Sequence, residues 1–358
     1  MRIVQLLSVI SFGDAVSNDA RAIAGILTEN GFENEIYAEH VDNRLPRGTA
    51  HALDGGLHLS PEDLLIYHAS TGTQLNFDLP SFGGRQVMIY HNITPREFFH
   101  GYNTEAEQNM RYGYEGMRFL ADKMRYCIAD SDYNRQQLRQ MGYTCPIDVC
   151  PILIPFEDYD REPDQKVLKR YQGDGYTNLL FVGRVSPNKK HEDIIRAFYC
   201  YQKRHNPKSR LILAGNAGGM ELYADRLRAY AQTLGVADRV IFPGHIKFDA
   251  ILACYRLADV FVCMSEHEGF CVPLLEAMHF GVPIVAYRAA AVPETLGAGG
   301  LLLDSKDPWI AAAAIDRLAR DQALRAQILE AQKKRLADFS YASVRGQLLR
   351  CIETLKSL

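Results

Sequence analysis

Short apolar runs alternate with longer amphipathic stretches along most of the chain. Runs of this kind predict strands, and the stretches between them carry apolar residues at helical spacing. The predicted strands read RIVQLLSV, LLIYHA, QVMIYHN and MRYCIAD in the first half, and NLLFVGR, RLILAGN, RVIFPG, DVFVCMS and PIVAYRA in the second. Because these strands are continuously apolar, we expect parallel sheets that are covered by helices on both faces.

The alternation is interrupted once, at the proline- and acid-rich stretch PILIPFEDYDREPDQ over residues 151–165. A chain of 358 residues also exceeds one ordinary hydrophobic core. We therefore predict an α/β fold with two Rossmann-like, doubly wound domains and a cleft between them. The predicted boundaries are 1–160 and 161–340, followed by a helix over 341–358. Ligands of such sheets bind beyond the carboxyl ends of the strands, so candidate residues should follow strands.

Two cations follow the first predicted strand of the second half, in FVGRVSPNKKHEDII. Arg184 offers a planar fork and Lys189 a movable point charge, and together they suit a diphosphate. We expect Asn188 to cap the next helix, and Lys190 and His191 to lie at the surface. The alternative is that Arg184 and Lys189 are solvated loop charges.

The stretch SEHEGFCVPLLEAMHF follows the predicted strand DVFVCMS and places carboxylates beside an apolar run. Pro273 fits the first turn of a helix, so Glu268 falls in the loop and Glu276 about one turn into that helix. Glu276 can accept hydrogen bonds from two ribose hydroxyls, although the helix dipole alone would also favour a carboxylate there. The backbone of Gly269, Phe270 and Cys271 would face a sugar or its phosphate, and Glu266 is expected to be solvated.

In the first half, His91 follows the predicted strand QVMIY, and Gly13-Asp14 follows the first strand. A histidine at a strand's carboxyl end is well placed to meet a substrate, and the alternative is a satisfied, semi-buried histidine. Gly13 belongs to no G-x-G-x-x-G loop, which disfavours a hydride-transferring enzyme.

The sequence Asp130-Ser131-Asp132 has the DxD form that some metal-dependent sugar transferases use. Ser131 or Asp132 is explained more simply as the N-cap of the helix YNRQQLRQMG.

Arg111, Arg118 and Arg125 recur every seven residues and should share one helix face. A basic amphipathic helix can lie on an anionic membrane. Acidic residues one turn before each arginine favour a salt-bridged, solvated surface instead.

Composition and charge narrow the picture further. Apolar residues make up 47% of the chain, and no run is long enough to span a membrane. The net charge of −3 combines 13 Lys and Arg against 24 Asp and Glu up to Asp164, and 27 against 19 beyond it. The basic half suits an anionic ligand such as a nucleotide diphosphate, unless the asymmetry is drift of surface charge. The first apolar run reads as a strand rather than a signal peptide, and the eight cysteines as buried, reduced thiols.

The motifs GRVSPNKK and EHEGFCVPLLEA, with LADVFVCMS before the second, resemble the family 4 retaining glycosyltransferases of the GT-B fold. The likeness continues through VPETLGAGGLLLD, and the first half matches more loosely through HNITP and ADSDYNRQQL. The resemblance implies two Rossmann-like domains, of which the second mainly binds a nucleotide-sugar donor. It also implies that the helix from about Tyr341 crosses back to the first domain.

The resemblance implies roles for individual residues. Arg184 and Lys189 match a diphosphate-binding pair, Glu268 and Glu276 match an E-x7-E pair, and His91 is similar to a histidine that contacts the transferred sugar. The catalytic set implied is His91, Glu268, Arg184 and Lys189, and the donor-binding set is Gly13, Arg184, Lys189, His245, Ile246, Glu268, Gly269, Phe270, Cys271 and Glu276. Cys271 stands where the family often has glycine, and Gly13-Asp14 is a reduced form of its first glycine loop.

The implied reaction moves a hexose of the mannose or glucose type from a nucleotide-diphosphate sugar to a saccharide or lipid-linked acceptor. Cations and backbone amides would stabilise the charge that builds on the leaving phosphate, so no metal or other cofactor is expected. No carboxylate suited to double displacement stands out, and front-face attack is favoured. We expect a cytoplasmic protein of polysaccharide or glycolipid biosynthesis that binds no nucleic acid, with peripheral membrane contact left open.

Two alternatives share the fold. A nucleotide-sugar epimerase or a phosphorylase would use the same donor site, although no lysine-centred motif for pyridoxal phosphate is present. A catalytically idle sugar-nucleotide-binding subunit would bind the donor without turnover, but the complete set of carboxylates and cations argues against it.

Overall fold

The computed structural model describes residues 2–356, which divide into two compact units. The first unit comprises Met1–Glu97, Glu105–Pro155 and Phe339–Leu358, and the second comprises Phe98–Thr104 and Phe156–Asp338. The division between Pro155 and Phe156 lies inside the proline- and acid-rich segment 151–165. A short piece of the first half of the chain therefore belongs with the second unit.

The first unit is built on a parallel sheet with the strand order β3-β2-β1-β4-β5-β6-β7. In chain order its elements are β1 (Arg2–Ile10), α1 (Ala15–Glu29), β2 (Glu33–Val41), β3 (His51–Ala52), β4 (Leu64–Ala69), α2 (Leu75–Asp78), β5 (Arg85–Tyr90), α3 (Thr104–Leu120), β6 (Cys127–Ala129), α4 (Asp132–Gln140) and β7 (Ile147–Val149). Turns of 3₁₀ helix cover Leu79–Ser81 and Arg96–Phe99.

The second unit is built on a parallel sheet with the strand order β10-β9-β8-β11-β12-β13. Its elements are α5 (Gln165–Tyr171), β8 (Thr177–Val182), α6 (His191–Arg204), β9 (Ser209–Ala214), α7 (Glu221–Thr233), β10 (Val240–Gly244), α8 (Phe248–Leu257), β11 (Val260–Cys263), α9 (Val272–His279), β12 (Ile284–Tyr287), α10 (Val292–Leu296), β13 (Gly300–Leu303), α11 (Pro308–Arg320) and α12 (Gln322–Asp338). Turns of 3₁₀ helix cover Phe156–Asp160 and Pro187–Lys189.

The last helix, α13 (Tyr341–Lys356), packs against the first unit's sheet. Residues along β1, β4 and β5 alternate between the two faces of this sheet, as the pleat requires. One face carries Val4, Leu65, Met88 and their neighbours, which pack under α3. The other face carries Ile3, Ile66, Ile89 and their neighbours, and α13 contributes Val344, Leu348, Cys351, Ile352 and Leu355 to that core. Both faces of the sheet are thus covered, and most residues of its central strands β1, β4 and β5 are apolar.

All nine predicted strands form, with ends that shift by up to three residues. The pattern did not predict β2, β3, β7 or β13. The strand β2 reads ENEIYAEHV, and most of its residues are only partly buried, so charged residues mask its apolar face. The strands β3 and β7 have two and three residues, and β13 is half-buried along its length. These strands lie at or near sheet edges, where the apolar signal is weak.

Helix starts follow local capping chemistry. Ser131 is the N-cap of α4 and accepts a hydrogen bond from Asn134 N at 3.1 Å, which confirms that prediction. Asp14 caps α1 in the same way by accepting from Ser17 N. The prediction that Asn188 caps α6 was wrong, because Lys190, in a left-handed conformation, occupies that position.

The arginine face predicted at Arg111, Arg118 and Arg125 does not form as one helix face. The helix α3 ends at Leu120, so Arg125 lies beyond it. Glu115 pairs with Arg111 at 3.6 Å, one turn after rather than before its arginine, and Asp122 pairs with Lys123. In the part of the chain that the structure describes, we find no helix that combines the length and the hydrophobicity needed to cross a bilayer.

All eight cysteines are free thiols, and all of them except Cys145 are buried. The sulfur atoms of Cys127 and Cys145 lie 3.8 Å apart. The buried cysteines therefore behave as small core residues.

Candidate functional site

The second unit's sheet reverses its strand order between β8 and β11. Helices on either side of such a reversal leave in opposite directions, and a crevice opens beyond the carboxyl ends of the two strands. The loop after β8 holds Arg184 and Lys189, and the loop after β11 holds Glu268. The residues selected from the sequence therefore flank the switch point of this sheet.

Lys189 and Glu268 form an ion pair across these two loops. The lysine side chain is 20% exposed and the carboxylate 7%. Burial tends to lower the pKa of Lys189, but the facing Glu268 carboxylate, together with Cys271 and Cys263, outweighs burial and the pKa is raised. Lys189 thus stays charged at the switch point.

Asn188 joins the two loops, a role that the sequence did not reveal. Its side-chain Nδ2 donates to His267 O at 3.0 Å, and its carbonyl accepts from Glu266 N at 2.8 Å. Asn188 is buried, so both bonds are shielded from water. The residue therefore fixes the register of Lys189 against Glu268.

Arg184 is exposed and does not join the ion pair of Lys189 and Glu268. Its Nη2 donates to Gly218 O at 3.2 Å, on the loop that follows β9. Asn103, from the short piece of the first half that belongs to this unit, donates to Gly219 O at 2.6 Å on the same loop. Arg184 and Lys189 therefore leave the same loop toward different partners.

The turn between Glu268 and α9 contains a strained residue. Cys271 has φ 75° and ψ 60°, the left-handed region that favours glycine. Thr295 Oγ1 donates to Phe270 O, and Ala291 N donates to Glu268 O at 3.3 Å, so α10 supports this turn from behind. The structure thus places Cys271 in the backbone conformation that a glycine would adopt most easily.

Glu276 lies in α9 and is held by two tyrosines. Tyr159 Oη donates to one carboxylate oxygen at 2.7 Å, and Tyr255 Oη donates to the other at 2.6 Å. Burial raises the pKa of Glu276, and the two hydroxyls lower it in part. Both oxygens therefore already accept hydroxyl hydrogen bonds, the kind of bond that ribose would supply. Neither tyrosine carried a sequence signal.

His245 and Ile246 follow β10, where His245 is exposed and Ile246 is partly buried. They therefore lie at the same carboxyl edge as the other donor candidates.

Three residues next to the site differ from expectation. Glu266 is not simply solvated, because it accepts from Lys306 Nζ at 2.7 Å and pairs with Lys190 at 3.2 Å. Lys190 is correspondingly only one quarter exposed. His191 is fully buried rather than at the surface, and burial, with Lys189 nearby, lowers its pKa to about 3. Lys190 and His191, which were expected at the surface, are therefore largely buried.

In the first unit, His91 follows β5 and its side chain is 1% exposed. Its Nδ1 lies 2.9 Å from Asp130 Oδ2, and its Nε2 lies 2.8 Å from His68 Nδ1. Both ring nitrogens are engaged within the protein, as a satisfied histidine requires. Gly13 has φ +80° at the carboxyl end of β1, beside the N-cap Asp14.

The two carboxylates of Asp130-Ser131-Asp132 serve different partners. Asp130 is buried and faces His91, whereas Asp132 accepts from Arg135 and from Gln136 Nε2 at 2.6 Å. A shared metal ion would need both carboxylates on one side, which this arrangement does not provide.

Two groups of potential ligand atoms lie close together among the described residues: Asp19, His68 and His91, and Cys263, Glu268 and Cys271. In the first group the two histidines contact each other, and in the second Lys189 already neutralises Glu268. His68, His91 and Glu268 are thus engaged within the chain.

The sequence of the second unit matches a known family. Residues 161–335 match the family model described as Glycosyl transferases group 1. D-inositol 3-phosphate glycosyltransferase from Acidothermus cellulolyticus is 37% identical over 158 residues, which cover 42% of this chain and 35% of that protein. O-antigen chain mannosyltransferase B from Escherichia coli is 28% identical over 247 residues, which cover 68% of this chain and 62% of that protein. The chain thus spans less than two thirds of the length of both relatives.

Solved structures establish the fold class. Anabaena HepE in complex with UDP and glucose has a TM-score of 0.78 and 18% sequence identity, and the match covers 100% of both chains. At this identity the likeness concerns the fold, and the α/β, GT-B fold class predicted from the sequence is confirmed. The family model and the two relatives named above are those of glycosyltransferases.

Proposed function

We propose, from the group 1 glycosyl transferase match over 161–335, that this protein is a retaining glycosyltransferase. It moves a hexose of the mannose or glucose type from a nucleotide-diphosphate sugar to a saccharide or lipid-linked acceptor. The observation that carries the proposal is the ion pair of Lys189 and Glu268 at the switch point of the second sheet. Sheets of this fold class bind their ligands at the switch point, and a cation at that position suits an anionic ligand.

Lys189 has the properties that a leaving diphosphate requires. Negative charge builds on the phosphate oxygens as the glycosidic bond breaks, and a fixed ammonium stabilises it most in a site that excludes water. The raised pKa of Lys189 keeps the ammonium charged through the reaction. We assign Arg184, which is exposed and donates to the backbone carbonyl of Gly218, to the same diphosphate. These groups act without a metal ion in our proposal.

Glu268 and Glu276 take different parts in the donor site. Glu268 orients Lys189 and, with the backbone of Gly269, Phe270 and Cys271, faces the sugar. Glu276 accepts the ribose hydroxyls, which would replace the hydrogen bonds that Tyr159 and Tyr255 now supply. In the first unit, we assign His91 to the same reaction.

The relatives support the substrate class. Two of them are a D-inositol 3-phosphate glycosyltransferase and an O-antigen chain mannosyltransferase, and the structurally similar HepE was solved in complex with UDP and glucose. Assembly of a polysaccharide or glycolipid is the process that we propose on this basis. Because none of the candidate carboxylates stands out as a nucleophile, we propose front-face attack, in which the leaving phosphate helps to deprotonate the acceptor.

The test begins with donor binding. UDP-, GDP- and ADP-sugars are screened by the shift in melting temperature, since a ligand that binds the folded state stabilises it by mass action. The best donor is then incubated with a panel of saccharide and lipid-linked acceptors, and the anomeric configuration of the product is read by NMR. Retention supports the proposed stereochemistry, and inversion contradicts it.

The site assignment is tested with Lys189→Ala and Arg184→Ala. We expect each substitution to lower turnover by about 100-fold or more, because it removes a positively charged group that stabilises the transition state. Lys208→Ala, at an exposed position before β9, is the matched control. Near-normal turnover in both variants contradicts the assignment. Donor binding without turnover on any acceptor supports an idle subunit, and a new sugar formed from donor alone supports an epimerase.

A further inference from the structure

A chain of four polar side chains runs through the first unit's sheet, from Gln5 in β1 through His68 in β4 and His91 after β5 to Asp130 after β6. Its members are between 0% and 9% exposed. Polar groups so deeply buried must satisfy one another, so the hydrogens along the chain can be counted.

The count begins at Gln5. Its Nε2 donates to Ala20 O at 2.9 Å, which fixes the orientation of the amide because a carbonyl can only accept. Gln5 Oε1 therefore faces His68 Nε2 at 2.9 Å and must accept from it. His68 Nε2 carries the hydrogen, and the Nδ1 of a neutral His68 is then a bare acceptor. Burial, with His91 nearby, lowers the pKa of His68 well below its ordinary value, which keeps this ring neutral.

The other end of the chain constrains His91. Asp130 Oδ2 lies 2.9 Å from His91 Nδ1 and accepts its hydrogen, and the described residues offer Asp130 Oδ1 no hydrogen-bond partner. A neutral His91 with its hydrogen on Nδ1 would direct a bare Nε2 at the bare Nδ1 of His68, only 2.8 Å away. Two lone pairs cannot face each other at that distance, so one more positive species belongs between the rings.

We propose that this species is a proton, and that Asp130 and His68 hold His91 as a buried, doubly protonated imidazolium at neutral pH. His91 then donates from Nδ1 to Asp130 and from Nε2 to His68, and every nitrogen in the chain is satisfied. Asp130, His68 and Gln5 are positioning residues for this cation.

The surrounding charges favour the imidazolium. Besides Asp130 from the segment after β6, Asp19 of α1 and the N-cap Asp14 face His91, and His68 of β4 is a neighbouring base. The thiol of Cys150, after β7, lies near Asp19 and Asp130. Burial works against the charge on His91, but the carboxylates outweigh burial and raise its pKa. Burial raises the pKa of Asp130, and the facing His91 lowers it in part. Because the ordinary pKa of imidazole, about 6.5, lies above that of a carboxyl group, about 3.9, we place the shared proton on the ring.

The consequence for catalysis rests on the proposed function. A permanent cation would sit at the carboxyl edge of the first sheet, close to the reversal of strand order between β1 and β4. It would supply electrostatic stabilisation to charge that develops in the reaction rather than transfer a proton, because both of its hydrogens are committed to internal acceptors.

The protonation state is read directly by long-range ¹H–¹⁵N NMR of protein labelled at its histidines. We expect one histidine with both ring nitrogens protonated at pH 8, absent from the spectrum of His91→Gln. The decisive variant is Asp130→Asn, whose amide can donate to His91 Nδ1 while Nε2–H still donates to His68. That variant keeps the hydrogen bonds, so His91 should become neutral with its hydrogen on Nε2.

The outcomes separate cleanly. A neutral His91 in the native protein at pH 8, with either tautomer, overturns the proposal. One zinc or other divalent ion per chain in the purified protein, lost in His68→Gln, overturns it as well, because a metal ion rather than a proton would then separate the rings. Neither result bears on glycosyl transfer, since the spectra need no donor or acceptor.

Where transfer is found, Asp130→Asn should lower kcat by about tenfold or more with little change in KM, and should leave the melting temperature near that of the native protein. Asp132→Asn, two residues away and partly exposed, is the control and should keep its kcat. If His91 is neutral in Asp130→Asn and kcat is unchanged, the catalytic role of the imidazolium is contradicted. The proposed protonation state of His91 in the native protein is not affected by that result.

Discussion

The two units place charge at the same topological position by different means. Each sheet reverses its strand order once, between β1 and β4 in the first unit and between β8 and β11 in the second. In the second unit the charged groups come from loops, and Lys189 remains 20% exposed. In the first unit Gln5 and His68 project from the strands themselves, and the chain they form is sealed from solvent. Loop charges are free to exchange a partner for a ligand, whereas strand-borne groups hold a fixed state.

The largest effect should follow from removing the loop cation. Lys189→Ala takes away the charge and leaves Glu268 buried and unpaired, so we expect transfer to fall by about 100-fold to 1,000-fold. The double variant Lys189→Ala/Glu268→Ala, measured by the same assay and by urea unfolding, should recover stability but not turnover. Recovery of both would mean that the pair is structural, and that the contrast between the two units is not functional.

In the first unit the largest effect should be on stability. Gln5→Leu leaves the Nε2–H of His68 without its acceptor, and a buried donor left without a partner costs about 1–3 kcal/mol. Urea unfolding should show a lower midpoint with an unchanged slope. Gln140→Leu, at an exposed position in α4, provides the matched comparison. Equal midpoints for the two variants would show that water reaches the hydrogen-bonded side chains from Gln5 to Asp130.

How far the sequence predicted this contrast depends on where each group lies. Arg184, Lys189, Glu268 and Glu276 follow or flank apolar runs, so their loops stand out in the printed sequence. Gln5 and His68 sit inside apolar runs, RIVQLLSV and LLIYHA, and one polar residue within a strand carries no information about its partner. His91 was found for the opposite reason, since it is the first residue past a strand. Pairing across a sheet depends on register, which periodicity does not give.

Side chains that connect loops were equally hidden. Asn188 looks like a helix cap because Asn is common at that position, yet it donates to a loop that lies 79 residues further along the chain. Tyr159 and Tyr255 reach Glu276 from separate elements. Chain length, the alternation of strands and helices and the proline- and acid-rich stretch 151–165 predicted the two-domain class, whereas the edge strands and the half-buried β2 required long-range pairing.

The bridge between the second unit's loops gives an intermediate prediction. Asn188→Ala removes the bond to His267 O and should cost about 1–2 kcal/mol of stability. Hydrogen exchange at residues 265–271 should become faster, because the loop that carries Glu268 loses its anchor. Asn206→Ala, which also loses a side-chain bond but at the other end of the sheet, should leave that loop protected. Equal protection in the two variants would show that the Asn188 side chain does not anchor the loop.

Glu276 gives a smaller, pH-dependent effect. Its pKa is raised by burial, so the native protein holds this proton more tightly than the unfolded chain. The free energy of unfolding should therefore fall as the pH rises from about 4.5 through the raised pKa, at up to about 1.4 kcal/mol per pH unit. Glu276→Gln should flatten the profile in this range. An identical profile would show that the two tyrosines cancel the cost of burial.

The smallest effect concerns the left-handed Cys271. Cys271→Gly relieves the backbone strain of about 1–2 kcal/mol but frees the unfolded chain and removes a buried thiol, so stability should change by less than about 1 kcal/mol. Cys271→Val adds a branched side chain to the same conformation and should be clearly less stable than either. The melting temperatures of the native protein and the two variants measure this order. A valine variant as stable as the glycine variant would contradict backbone strain at Cys271.

The helix α13 has a consequence for the order in which the protein is made. Its five buried side chains belong to the first unit's core, yet they are translated after every residue of the second unit. A nascent chain that has emerged as far as Asp338 contains all of the second unit but leaves one face of the first sheet bare. The first unit, although synthesised earlier, must therefore wait for the second before its own core can close.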